Sequence, residues 1–132
     1  MTLKLNNITK TINEKTIISN LEFEVKNGEI LALLGPSGCG KSTTLRLIAG
    51  LENPNKGKIF INQKDITDQK AALRNVAMVF QSYALFPHLS VYRNLELGLK
   101  IRNVSKKNRD RRIKIILGTL QLDDYSERKP SQ

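Results

Sequence analysis

The chain is 132 residues long, 39% hydrophobic and 26% charged, with a formal net charge of +10 at pH 7. That length supports one modest core, and no apolar run approaches the roughly 20 residues of a membrane-spanning helix. Cys39 is the only cysteine, which excludes an intrachain disulfide and fits a reducing compartment; the start, Met1-Thr2-Leu3-Lys4, lacks the apolar stretch of a secretory signal, so a cytoplasmic protein is expected.

Leu3-Lys4-Leu5 and the following Asn7-Ile8-Thr9 read as a first strand. Leu21, Phe23 and Val25 alternate with Glu22, Glu24 and Lys26, the period of a strand with one wet face. Asn27-Gly28 predicts a turn and a hairpin into the next strand. That strand, Glu29 to Leu34, is apolar without alternation and is expected to be buried on both faces. Gly35-Pro36-Ser37-Gly38-Cys39-Gly40-Lys41-Ser42-Thr43 follows, leading into a helix of about three turns with Leu45, Ile48 and Ala49 on its inner side. Asn53-Pro54-Asn55-Lys56-Gly57 should stop that helix.

The pattern G-x-x-x-x-G-K-[ST] between a strand and a helix is a phosphate-binding loop. Its glycines permit a curl that turns backbone N–H groups inward, and the helix N-terminus adds its positive dipole end. Lys41 is placed to reach the β- and γ-phosphates and the Ser42 hydroxyl to ligate Mg²⁺. Cys39 reads either as a thiol activated by the helix terminus or as a small filler.

Lys58 to Asn62 reads as a short strand, Asp65-Ile66-Thr67 to Lys70 as a loop, and Val76 to Phe80 as another unbroken apolar strand ending at Gln81. A loop from Ser82 to Ser90 precedes a helix over Val91 to Ile101. Ser105 is expected to cap a second helix, with Ile113, Ile116, Leu117 and Leu120 at i, i+3, i+4, i+7. Between Lys100 and Lys114, eight basic residues face Asp110 alone. Such a run reads as a solvated helix face, or as a contact for nucleic acid or an anionic membrane. Aromatic residues do not interleave with it, which argues against base stacking. His88 is the sole histidine and reads as loop structure, not as a metal ligand.

Leu33 to Leu45, together with Ile48-Ala49-Gly50-Leu51, resembles the ATP-binding cassette (ABC) ATPases that power membrane transporters. Val79-Phe80-Gln81-Ser82-Tyr83-Ala84-Leu85-Phe86-Pro87-His88-Leu89-Ser90-Val91 is similar to the Q-loop region of importer members, especially those for sugars, glycerol phosphate, polyamines or ferric iron. The resemblance runs from about Leu3 to Gln132. It implies an α/β P-loop NTPase with an incomplete core: an antiparallel β part and nucleotide-binding core over about 1–81, then the Q-loop and the start of a helical subdomain over about 82–132. It implies ATP and Mg²⁺ as cofactors, held by Gly35, Pro36, Ser37, Gly38, Cys39, Gly40, Lys41, Ser42 and Thr43. Lys41 and Gln81 would serve catalysis, Ser42 and Gln81 the metal. The segment Tyr83 to Leu99 would form a groove for a short helix of a membrane permease subunit, with Tyr83, Leu85, Phe86, Leu89 and Tyr92 as its apolar surface. Family members dimerise, work at the inner face of the cell membrane, and bind no nucleic acid directly.

Two departures stand out. Family members place an aromatic residue on the adenine shortly after the first strand; alignment puts Ile12 there, which covers the ring without a π face. The family's Leu-Ser-Gly-Gly-Gln signature normally follows a stretch like Arg128 to Gln132. These 132 residues contain neither it nor the Walker B carboxylates nor the switch histidine. The chain alone is therefore expected not to sustain ATP hydrolysis, and its Glu29 to Leu34 strand is expected to expose unpaired edges. A truncated gene, a frameshifted product or an engineered fragment would each read this way. The alternatives to a partial importer ATPase are a P-loop protein acting on nucleic acid through the 100–114 segment, and a non-functional truncated remnant.

Overall fold

The structure, a computed structural model, describes residues 1–132. The chain forms two compact units, Met1–Met78 and Val79–Gln132. No helix is long and apolar enough to cross a membrane.

In the first unit, β1 (Leu3–Ile12), β2 (Lys15–Val25), β3 (Lys56–Ile61) and β4 (Lys64–Asp65) form one antiparallel sheet in the order β2-β1-β3-β4. Ile12 pairs with Lys15 across a two-residue turn, Asn13-Glu14, with φ of 46° and 64°. Positive φ at both turn residues matches the right-handed twist of the flanking strands. Leu21, Phe23 and Val25 are half-buried and Glu22 and Glu24 exposed, as their alternation predicts.

β1 breaks the two-residue period, because Leu5 and Ile8 are both fully buried. A bulge reconciles them: Asn7 has a φ of 49°, and the pairing with β2 shifts register between Leu5 and Ile8. β3 accommodates the bulge at Gly57, where a Cβ would collide with the carbonyl oxygens of Asn6 and Asn7. The core then closes around Leu5, Ile8, Ile18, Leu47, Ile59 and Ile66.

Leu47 belongs to α1, Lys41–Ala49, whose buried residues are Thr44, Leu47 and Ala49. Leu45, expected on the inner side, is 47% exposed; Thr44 and Leu47 define the buried line instead, and Ile48 packs at its flank. The helix ends earlier than Asn53, at Gly50 with a φ of 76°. Leu51 N–H donates to Arg46 O at 3.0 Å and Gly50 N–H to Leu47 O at 3.2 Å, the pairing that satisfies final carbonyls when a left-handed residue closes a helix.

Arg74, only 3% exposed, adds its own donors at this helix end. Its guanidinium donates to Leu47 O at 2.6 Å, Ile48 O at 3.1 Å, Thr67 O at 2.7 Å and Gln69 O at 2.8 Å. A cation at the negative end of a helix is favourable, and here it also joins α1 to the turn after β4.

The two expected apolar strands do not form. Glu29–Leu34 enters no sheet, and Ile30 and Leu34 are 98% and 90% exposed. The Asn27-Gly28 turn is present, closed by Glu29 N–H to Lys26 O at 3.2 Å, but β2 pairs with β1 alone, so no hairpin follows. Val76–Phe80 likewise joins no sheet, and Val79 is 88% exposed. A strand exists only by pairing, and no other segment of these 132 residues lies alongside to pair with them.

In the second unit, α2 spans Val91–Ile101, the predicted bounds, and Ser90 Oγ accepts from Arg93 N–H at 3.3 Å. α3 spans Lys106–Thr119 after Ser105, whose side chain makes no capping bond. Ile113 and Leu117 are buried, whereas Ile116 and Leu120 are 44% and 59% exposed, because one neighbouring helix covers only the line through 113 and 117. Two contacts fasten α3 to α2. Tyr92 OH donates to Asp110 at 2.6 Å, and buried Glu96 accepts from Arg109 at 3.2 Å and pairs with Lys100 at 2.9 Å.

Candidate functional site: the glycine-rich loop

The loop from Gly35 to Gly40 runs into the N-terminus of α1. Gly40, with a φ of 94°, is buried at the N-cap. A Cβ there would lie 3.0 Å from Ile18 Cγ1 and 3.2 Å from Ile17 O, so only glycine lets the loop press against β2 while turning into the helix. Thr44 seals the first turn, its N–H and Oγ1–H donating to Gly40 O at 2.8 and 3.0 Å.

Within this frame Lys41 curls back over the loop. Its Nζ donates to Gly35 O at 2.7 Å and Pro36 O at 2.8 Å and lies 3.5 Å from Cys39 Sγ. The N–H groups of Lys41, Ser42 and Thr43 occupy the first turn of α1, where no intrahelical acceptor exists, and no other acceptor in the chain meets them. Ser42 and the residues Gly35 to Cys39 are exposed. The arrangement offers one ammonium, one hydroxyl and a row of free N–H donors at the positive end of a helix. That donor set fits a chain of phosphates. No three His, Cys, Asp or Glu side chains gather into a metal-binding cluster, so a Mg²⁺ ion at this loop would draw its ligands from Ser42 and phosphate oxygens.

A cavity of about 270 Å³ opens beside the loop, lined by Ile17, Leu21 and Leu33 together with Cys39, Lys41 and Thr44. Ile12 does not line it; it lies at the β1–β2 turn, 41% exposed. A larger hollow of about 630 Å³ lies among Lys4, Glu24, Phe60 and Asn62 and contains none of the loop residues.

In the second unit, Gln81 is exposed at the start of a turn in which Tyr83 and Ala84 have φ of 60° and 48°. Tyr83, Leu85 and Phe86 are 77%, 52% and 47% exposed, forming an aromatic and aliphatic surface. Leu89 is half-buried, and Tyr92 is engaged by Asp110, so these two contribute less to that surface than the sequence suggested. The hydrogen bond that its O–H donates to Asp110 raises the Tyr92 phenol to about 12, since ionisation would lose that donor and then set two negative charges together. His88 packs edge-on against Phe86, with centroids 6.0 Å apart.

Sequence reasoning missed Asn94, which holds this loop in place. Its Oδ1 accepts from Phe86 N–H at 2.9 Å, and its Nδ2 donates to Phe86 O, Leu89 O and Ser90 O at 3.2, 3.1 and 3.0 Å. Its position four residues after Ser90 was the available signal: on the first turn of a helix, an amide can reach back to the entering loop.

A glycine-rich loop that runs into a helix N-terminus and presents free N–H donors and a lysine to anions defines a P-loop nucleotide-binding protein. The family profile described as ABC transporter matches residues 18–132, and the chain belongs to that family. It is 47% identical over 130 residues to the Fe(3+) ions import ATP-binding protein FbpC of Fusobacterium nucleatum, covering 98% of this chain and 35% of that protein. It is 46% identical over 130 residues to the spermidine/putrescine import ATP-binding protein PotA of Photobacterium profundum, again covering 98% and 35%. The chain thus spans about a third of the length of the curated relatives it matches. Among solved structures it resembles a dimeric ATP-binding cassette in a post-hydrolysis state with ADP and Pi, with a TM-score of 0.83 and 30% identity over 98% of this chain and 62% of that one. The fold is accordingly that of the ABC ATPase cassettes, represented here in part.

Proposed function

We propose that this chain is the nucleotide-binding portion of an importer ATPase, taking Mg-ATP at Gly35 to Thr43. The observation that carries the proposal is the loop itself: free N–H groups at Lys41, Ser42 and Thr43 beside a lysine held by two carbonyls and the Cys39 sulfur, with no carboxylate partner. On nucleotide binding Lys41 exchanges Gly35 O and Pro36 O for phosphate oxygens, a charge-assisted contact of greater strength. Ser42 supplies a hydroxyl to Mg²⁺, which when bound neutralises charge on the β- and γ-phosphates. Gln81, an uncharged carboxamide, serves as a further ligand or orients water, and Ile12 gives the adenine apolar cover.

The exposed Tyr83–Phe86 surface and the loop pinned by Asn94 suit a short helix of a permease subunit, and in this reading the protein works at the cytoplasmic face of a membrane. The names of the relatives point to ferric iron or polyamines as the imported solute. Calorimetry of Mg-ATP with wild type, Lys41→Ala and Ser42→Ala tests the nucleotide site. Loss of the Lys41 contact should weaken binding by about 2–3 kcal/mol, and Ser42→Ala should remove the dependence on Mg²⁺. Equal affinity in wild type and Lys41→Ala would reject the reading.

A further inference from the structure

The basic run at 100–114 is not one surface, and the structure sorts it. Lys100 and Arg109 are consumed by Glu96, and Arg112 borders an apolar groove with Leu95, Leu99 and Ile116. Arg102, Lys106, Lys107, Arg111 and Lys114 remain exposed, and none forms an ion pair. Lys107, Arg111 and Lys114 recur at i, i+4 and i+7 of α3, so they line one stripe of the helix, away from buried Ile113 and Leu117. Ile115, 59% exposed, lies beside the stripe, and Ile101, 74% exposed, precedes Arg102 at the end of α2.

The local sequence works against helix stability here. The first turn of α3 carries Lys106 and Lys107, no acidic residue, and no side-chain cap, although the positive end of a helix disfavours cations. Three aligned cations without ion-pair partners, with exposed Ile115 on one side and Asp110, already engaged by Tyr92, on the other, match an anionic surface that is flat and deformable. A single-stranded nucleic acid would be gripped better by aromatic residues among the charges, and none stands between Lys100 and Lys114.

We infer that Lys107, Arg111 and Lys114, with Arg102 at their end, form a contact for the anionic headgroups of a lipid bilayer. The inference does not depend on the nucleotide site, and it supplies a physical means by which this unit rests on a membrane surface. Each cation held near an anionic bilayer is worth about fivefold in partitioning, so removing three should cost roughly a hundredfold.

The test is sedimentation of the 132-residue chain with vesicles of phosphatidylcholine alone and with about 30% phosphatidylserine. Wild type should bind the anionic vesicles and release as salt rises beyond about 0.1 M, where screening shortens to about 10 Å. Lys107→Gln/Arg111→Gln/Lys114→Gln should lose that binding. Lys15→Gln/Lys56→Gln/Lys64→Gln removes the same charge from the first unit, where these lysines are exposed and unpaired, and should retain it. Equal loss in both triple variants would reduce the effect to net charge and overturn the inference, as would failure of wild type to bind. A DNA duplex captured more tightly than the anionic vesicles, through the same three residues, would also overturn it in favour of nucleic acid.

Discussion

Arg74→Met removes the guanidinium while keeping an unbranched apolar stem. Four carbonyls lose a donor at once: Leu47 O, which is buried but keeps the Gly50 N–H, and Ile48 O, Thr67 O and Gln69 O, which are partly buried and lose the guanidinium. A buried carbonyl left unsatisfied costs about 1–3 kcal/mol. The three others recover water in part. Against this, the native state carries the cost of desolvating a cation with no carboxylate partner, and burial already pushes the Arg74 pKa down. Methionine removes that cost, so the net loss should be about 1–3 kcal/mol, a sizeable share of the ~5–15 kcal/mol typical of a domain. Urea denaturation followed by far-ultraviolet circular dichroism measures it, and Arg74→Lys, which can reach only some of the four oxygens, should fall between. A loss below ~1 kcal/mol would mean that hydrophobic packing of Leu47 alone fixes the end of α1.

Gly57→Ala should cost about 2–4 kcal/mol, because its Cβ meets the carbonyls of Asn6 and Asn7 in the β1 bulge and its φ is 91°; a chemical denaturation midpoint unchanged from wild type would contradict this. Asp65 titrates at about 2, lowered chiefly by hydrogen bonds from the Thr67 side chain and backbone and then by Lys58. Its folded pKa lies below its unfolded one, so the stability it contributes is present at neutral pH and is lost as pH falls from about 4 to about 2. Carboxyl NMR should show Thr67→Val moving the Asp65 midpoint up toward the ordinary carboxylate range, and an unmoved midpoint would put the cause elsewhere. Ile12→Tyr should raise ATP affinity roughly two- to twelvefold by restoring a stacking face, while tripolyphosphate, which has no base, should bind both forms alike. Should both ligands improve together, or neither, Ile12 does not lie at the adenine.

Features carried by a local pattern were legible in the sequence. The alternation over Leu21, Phe23 and Val25, the bounds of α2 and the glycine-rich loop each depend on residues within a few positions of one another. Features that depend on distant backbone were not. Arg74 reads as one more surface cation, since its partners Leu47 and Ile48 lie 27 and 26 residues away and show only carbonyls. The burial of both Leu5 and Ile8 required the left-handed Asn7, which the alternation rule cannot supply. Unbroken apolar runs at Glu29–Leu34 and Val76–Phe80 indicate how strands would be buried when covered, not that the cover is present in these residues. In α1 the buried line runs through Thr44 and Leu47 and not through Leu45, because the helix entry at Gly40 packs against β2, a contact that local periodicity does not show.

The account turns on whether the backbone from Gly38 to Thr43 is an anion cradle. Titration of uniformly ¹⁵N-labelled chain with tripolyphosphate, observed by amide NMR, addresses that directly. The amides of Gly38, Gly40, Lys41, Ser42 and Thr43 should shift together along one saturable curve, and Lys41→Ala should weaken that curve. Shifts that fail to saturate, or that fall mainly on the α3 stripe at Lys107, Arg111 and Lys114, would show that the loop does not hold phosphate.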